Sequence, residues 1–266
     1  DTVTALIDGL NPPILGTGQW PMRDMQQNFI GDVDDEAWYA QEVELEGADT
    51  ETIVRKRWLQ KSTTGSEYIE SDLLADASLI EPRVSDDANP PGHNNPAEAY
   101  PFRDLDLWLL RDSMQGLIEG DRDTDRDYIQ GRALLARVRS LFVKHGWANR
   151  SPGAIVPWDA IYDIIEADTE LISGWASNLI TRVENTLQDE LATRTAKALF
   201  LLSQVETVPR TPQNLTRLLI KDVSEDIGER TAEVTAKLEA LAERNLIRES
   251  TDAEETTYTI LSEEDI

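Results

Sequence analysis

Residues 211–220 (TPQNLTRLLI), 227–247 (IGERTAEVTAKLEALAERNLI) and 258–261 (YTIL) decide the fold of this chain. In the first stretch, Thr211-Pro212 opens a helix and Leu215, Leu218 and Leu219 mark its apolar face. In the second, Val234, Leu238 and Leu241 recur at helical spacing and run into Leu246-Ile247. Just upstream, Leu199, Leu202 and Val205 mark another helical segment. After Arg248-Glu249 comes a polar tip, Ser250 to Thr256, and the β-prone return Tyr258-Thr259-Ile260-Leu261. Three amphipathic helices followed by a small β-hairpin predict a winged helix over residues 188–266. Modules of that architecture dock on nucleic acid or on a protein partner, and do no chemistry themselves.

Upstream, the pattern is helical again. Residues 104–118 are expected to bury Leu105, Trp108, Leu109, Met114, Leu117 and Ile118. Residues 127–144 offer Leu134, Leu135, Val138, Leu141 and Phe142, and Pro157 begins a third helix carrying Ile161, Ile164 and Ile165. Residues 169–187 set Ile172, Trp175, Leu179, Val183 and Leu187 on one stripe. These make a small helical bundle, with a basic helix at 49–61 capped by Asp49 and a short helix from Asp72 to Leu79. Between them, Pro82, Pro90, Pro91, Gly92, Pro96 and Pro101 predict a long proline-rich loop over 82–101. Residues 1–48 read as an irregular segment with possible strands, Trp38 to Leu45 alternating weakly. The expected class is therefore mainly α: a helical domain at 49–187 and a winged-helix domain at 188–266.

Composition sets the environment. The chain has 51 acidic and 25 basic residues, a formal charge of −26, and no cysteine. Only 6 of the 25 cations are lysine. Such a surface repels itself at low salt, whereas in molar salt the Debye length falls to ~3 Å and the repulsion is screened. This is the composition of a protein from a salt-in halophile; an ordinary acidic cytosolic protein is the alternative. The acidity is then solvent adaptation and does not exclude DNA as a partner. The missing cysteines exclude disulfides, thiol chemistry and cysteine metal sites. No signal peptide or spanning segment is visible, so a cytoplasmic location and no membrane partner are expected.

Catalytic motifs fail one by one. Asp121-Arg122-Asp123-Thr124-Asp125 starts like a calcium loop, but Arg126 and Arg132 stand where glycine and a bidentate glutamate are needed. His93 and His145 are the only histidines, and neither has another ligand type at metal spacing. Gly16-Thr17-Gly18 lacks the third glycine of a dinucleotide loop, and no Gly-x-x-x-x-Gly-Lys-Ser/Thr occurs. No metal or cofactor is expected in this chain, and no ATPase activity of its own. The DNA-binding candidates of the winged helix are Arg230, Lys237, Arg244 and Arg248. They are matched by Glu229, Glu233, Glu239 and Glu243 on the same helix and by Glu249, Asp252, Glu254 and Glu255 on the hairpin. A DNA-reading face is usually basic, so DNA and a protein partner stand level.

Several segments, in order, carry a resemblance. They are Ile53-Val54-Arg55-Lys56-Arg57-Trp58-Leu59-Gln60-Lys61, Tyr100-Pro101-Phe102, Gly131-Arg132-Ala133-Leu134-Leu135 and Ile155-Val156-Pro157-Trp158-Asp159-Ala160-Ile161-Tyr162-Asp163. Lys197-Ala198-Leu199-Phe200-Leu201-Leu202, Thr211-Pro212-Gln213-Asn214-Leu215 and the Leu-x-x-Leu-x-x-x-Asn-Leu-Ile of Leu238 to Ile247 complete the set. Over roughly residues 50–265 the chain resembles the large P-loop ATPases of BREX and Pgl phage-defence systems, the BrxC/PglY group, in the part after their Walker motifs. The resemblance implies a non-catalytic portion of such an ATPase, with ATP and Mg bound elsewhere in the full-length protein. The helical bundle would be an AAA+ lid, and the partners other phage-defence proteins, further copies of itself, or duplex DNA. It nominates Arg132 as a nucleotide-sensing arginine, whose forked donors suit phosphate. Arg55 and Arg57 are nominated as an arginine finger or a backbone contact. The competing expectation is a free-standing haloarchaeal winged-helix DNA-binding transcriptional regulator.

Overall fold

A computed structural model describes residues 51–88, 90, 95–119, 126–168, 171–251 and 255–261. The expectations for residues 1–48, for Asp49, His93 and the Asp121–Asp125 run, and for the hairpin tip at 252–254 lie outside the described residues.

Of the basic helix expected at 49–61, residues 51–53 are α-helical and run into a wider turn that ends before Leu59. Val54–Trp58 form a π-type turn, closed by the Leu59 amide donating to the Val54 carbonyl at 3.1 Å. Val54 and Leu59 are five residues apart and both buried, and a five-residue closure puts them on one face. The same device recurs after helix α1 (Thr63–Tyr68), which Ser62 caps. In Ile69–Leu73 the Leu74 amide closes on Ile69 at 2.8 Å, and again the two buried residues lie five apart. The helix expected from Asp72 to Leu79 is instead this wide turn and a single 3-10 turn, Ala77–Leu79.

The proline-rich stretch is less of a loop than its composition suggests. The short helix α2 (Pro96–Ala99) interrupts it, with Pro96 in the first turn and the Asn95 side chain accepting from the Ala97 amide. Its first part is pinned by Asn214. The Arg83 amide donates to Asn214 Oδ1 at 2.8 Å, and Asn214 Nδ2 donates to the carbonyls of Arg83 at 2.9 Å and Pro209 at 2.8 Å. A buried side-chain amide thus stands in for a strand partner and satisfies backbone groups that proline-rich sequence leaves open.

The long helices follow in the expected order. They are α3 (Asp106–Glu119), α4 (Arg126–Val143), α5 (Trp158–Asp168), α6 (Gly174–Leu187), α7 (Glu190–Leu202), α8 (Pro212–Leu219) and α9 (Ile227–Glu243). Their starts are set by side-chain caps: Ser173 for α6, Asp189 for α7, Thr211 for α8 and Asp226 for α9. Gln188 and Asn245, at φ 49° and 52°, close α6 and α9 in the left-handed region that asparagine tolerates better than most residues. The chain ends in an antiparallel hairpin, β1 (Ile247–Thr251) and β2 (Thr256–Ile260), with Glu249 opposite Tyr258. The protein is mainly helical, with this two-stranded sheet.

Residues 47–266 form one compact unit. Helix α7 is central to it, packing on α5, α6, α8, α9 and β2. Phe200 meets Tyr162 edge-on at 5.8 Å and lies 6.5 Å from Trp175. One apolar core therefore includes Leu107 and Met114 of α3, Ile165 of α5, Leu199 of α7, Leu218 of α8, Leu238 of α9 and Tyr258 of β2. The division expected at residue 187/188 falls inside this unit, between two helices that pack together. Gly116 shows how close the approach is: a Cβ there would come within 2.7 Å of the Gln204 carbonyl oxygen.

Candidate interaction surface and the buried ion pairs behind it

Helices α7, α8 and α9 pack on one another, and the hairpin lies against α7 and α9. The Tyr258 amide also donates to the Arg210 carbonyl at 3.0 Å, so the backbone at Arg210 flanks β2 on the side away from β1. The DNA-contact candidates lie on α9 and β1, and Arg230 and Lys237 are held by carboxylates. Arg230 donates to Glu225 Oε2 at 2.7 and 3.0 Å and to Glu233 Oε2 at 2.7 Å. Lys237 donates to Asp189 Oδ2 at 2.7 Å, and that hydrogen bond holds the Asp189 carboxyl below its ordinary range. Asp189 is the cap of α7, so Lys237 ties α9 to the start of the central helix. Arg244 is exposed and donates to the Ala240 carbonyl, one turn back at the end of its own helix. Arg248 is exposed on β1. The four cations do not form one basic stripe.

The arginines nominated for nucleotide sensing are equally scattered. Arg55 is buried: its guanidinium donates to Asp104 Oδ1 at 2.8 Å and to the Asp104 carbonyl at 2.6 Å. Its place is inside the fold, joining the first wide turn to the start of α3. Arg57 is exposed on the same turn. Arg132 lies within α4, and its side chain is outside the described residues.

The charged groups that the sequence did not single out are the buried ones. Arg103 and Asp106 are almost wholly enclosed and pair at 3.0 Å. Asp106 Oδ2 also accepts from the Arg103 amide at 2.9 Å, and its Oδ1 accepts from Trp158 Nε1 at 2.9 Å. Arg103 reaches the carbonyls of Val156 and Ile220, 3.0 and 3.3 Å away. A second pair, Arg194 with Asp159, is forked, at 2.8 and 3.2 Å, and Arg194 also donates to the Leu219 carbonyl at 2.6 Å. Between them these arginines tie α3, α5, α7 and the end of α8. The one available signal was local: Arg103 and Asp159 sit beside proline–aromatic turns, Pro101-Phe102 and Pro157-Trp158.

Glu81 stands over the start of α3. Its carboxylate accepts from the Asp104 amide at 2.7 Å and the Leu105 amide at 3.4 Å. Burial, reinforced by the negative charge of Asp106, pushes its pKa up to about 7 from an ordinary 4.5. The folded state therefore holds a proton that the unfolded chain has released between those values. Stability should fall as pH rises from about 4.5 to about 7 and stay level above, with a loss bounded at about 3 kcal/mol. Glu81→Gln is expected to remove that slope and to be the more stable protein at pH 8. Urea melts at pH 5, 6, 7 and 8 would show it; parallel slopes for both proteins would refute it.

Beside the hairpin lies a cleft of about 980 Å³, lined by Arg182 of α6, by Glu239, Ala242 and Glu243 of α9, and by Asn245, Ile247, Arg248, Glu249 and Leu261. Its walls are charged and its floor is apolar, with Ile247 buried and Ala242 and Leu261 half-buried. Among the described residues, no group of His, Asp and Glu could hold a metal ion, and no helix is long and apolar enough to cross a membrane. No family model matches this chain, and no solved structure matches it.

Proposed function

We propose that this chain is a docking module: the part of a BREX/Pgl-type phage-defence ATPase that follows its Walker motifs, ending in a winged helix that engages a protein partner. The resemblance of the segments from Ile53 to Ile247 supports the ATPase assignment. The order α7, α8, α9, β1, β2, with backbone at Arg210 alongside β2, supports the winged helix. One observation carries the choice of protein over DNA. Arg230, in the first turn of the third helix, and Lys237, in its middle, are held by Glu225, Glu233 and Asp189. Phosphates would have to displace carboxylates already in place, in a chain of net charge −26. Counterion release, the main source of DNA affinity, weakens further in high salt.

The purified chain titrated with duplex DNA at several KCl concentrations should show no salt-dependent binding. Affinity that falls linearly in log–log coordinates as salt rises would instead establish phosphate contacts and favour the DNA-binding regulator. The ATPase assignment has its own test. A Gly-x-x-x-x-Gly-Lys-Ser/Thr encoded upstream of Asp1 in the same reading frame would support it, and a start codon directly before Asp1 would end it. In that longer protein Arg132→Ala is expected to lower ATP turnover by about tenfold or more, as loss of a phosphate-contacting arginine does. Unchanged turnover would dismiss the nucleotide-sensing role.

A further inference from the structure

The acidity of the chain has a gap at the first wide turn. No aspartate or glutamate stands between Thr52 and Glu67, while Arg55, Lys56, Arg57 and Lys61 all do. The turn sorts these cations. Val54, Arg55 and Leu59 are buried, and Arg55 is taken by Asp104. The next three side chains, Lys56, Arg57 and Trp58, face solvent in succession. Trp58 is 41% exposed, and Ile53, just before the turn, 36%. The five-residue closure that sets Val54 beside Leu59 sets Ile53 beside Trp58 on the adjoining face. Lys61 borders the group: its Nζ donates to the Glu98 carbonyl at 3.2 Å. Burial, then the charge of Arg55, lower its pKa to about 8, with Glu98 acting the other way. Elsewhere surface cations find carboxylates, as Lys197, Lys221, Arg230 and Lys237 do. Lys56 and Arg57 make no ion pair among the described residues, in a chain with 51 acidic residues. An indole beside unpaired cations is the composition of an interface centre rather than of a solvated turn.

We propose that this turn binds an acidic segment of a partner protein, Lys56 and Arg57 taking its carboxylates and Trp58 and Ile53 its aliphatic side chains. The surface is separate from the winged helix and does not depend on it. Charge complementarity chooses an acidic occupant and steers its approach. The indole requires that the occupant be apolar in part. In molar salt the Debye length is ~3 Å, so the ion pairs weaken while burial of Trp58 and Ile53 keeps its value. Nucleic acid fits less well: phosphates drawn to two exposed cations meet the field of a chain at −26, and Ile53 offers bases no stacking face. A second copy would bring its own −26 with it, and two such chains repel, whereas a separate segment brings only its own charges.

The test uses the full chain and a fluorescently labelled ten-residue peptide alternating glutamate with leucine. The rest of the chain repels such a probe, so the binding that anisotropy detects reports this patch. Binding should be saturable, and a glutamate–serine peptide of the same length should bind more weakly for want of aliphatic side chains. Trp58→Ala, and Lys56→Glu combined with Arg57→Glu, should each weaken the glutamate–leucine peptide by about tenfold or more. These side chains are exposed, so thermal melts should show both variants folded like the wild type. Equal affinity for the wild type and either variant, or no binding by the wild type, overturns the proposal and leaves the duplex titration to judge the winged helix separately. Tighter binding of an oligothymidylate, lost in the same two variants, would overturn the choice of a protein occupant. Concentration-dependent dimers abolished by Trp58→Ala would overturn the choice of a separate partner.

Discussion

Asp106→Ala is expected to lower stability by about 3–5 kcal/mol, the largest effect of any single change considered. The carboxylate takes three hydrogen bonds, from the Arg103 amide and guanidinium and from the Trp158 indole. Its side chain has no exposed surface, nor has that of Arg103. Removing it leaves a guanidinium enclosed without a counter-charge and an indole N–H without an acceptor. Both penalties are paid in desolvation, which is why breaking a buried pair costs more than the pair contributes. For a unit of this size the expected fall in Tm is roughly 6–20 °C. Asp106→Asn keeps an acceptor but loses the charge, and should lie between wild type and alanine. The pairing has a sharper signature. Arg103→Met combined with Asp106→Leu should be markedly more stable than Asp106→Ala, since no orphaned charge remains. Urea melts at fixed KCl measure all four proteins; a loss under 1 kcal/mol for Asp106→Ala would show that water reaches the site.

Arg194→Lys comes second, at about 2–4 kcal/mol, although it preserves the charge. The guanidinium forks across both oxygens of Asp159 and reaches the Leu219 carbonyl with the same nitrogen that meets Oδ1. Leu219 is the last residue of α8, and its carbonyl lacks an intrahelical donor. Arg194 thus closes one helix end while holding α5 to α7. Lysine offers a single point of attachment and can satisfy the carboxylate or the carbonyl, not both in this geometry. Amide exchange adds a local readout: the last turn of α8 should open faster in Arg194→Lys than in wild type. Equal protection there would mean that the contact to Leu219 contributes nothing.

What could be read in the sequence and what could not divide along the range of the interaction. Thr211-Pro212 announced the start of α8, and Thr211 does accept from the Asn214 amide. The spacing of Val234, Leu238 and Leu241 marked the buried face of α9, and all three are wholly enclosed. These signals act within four residues. The wide turn at Val54–Trp58 lies inside the basic helix expected there, and its five-residue closure could not be told from ordinary helical spacing in so short a stretch. Arg103, Asp106, Asp159 and Arg194 were invisible for a different reason. Among 51 carboxylates, the few that are buried look no different in sequence from those that face water. The burial of Arg55, nominated as an arginine finger or a backbone contact, was invisible for the same reason, since only its distant partner, Asp104, reveals it. The strand-like contact at Arg210 was masked by Pro209, which reads as punctuation.

The core that continues across residue 188 has a consequence for how this end of the molecule can be used. Helix α7 turns one side to α8 and α9 and another to α5 and α6. A piece cut at Asp189 would carry Phe200 away from Tyr162 and Trp175, and Arg194 away from Asp159. It would present an apolar flank and an unmatched cation to water. The hairpin-bearing end is therefore not portable: α5 and α6 must travel with it, and the bonds of Asp106 to Trp158 and of Arg103 to Val156 and Ile220 then bring α3 as well.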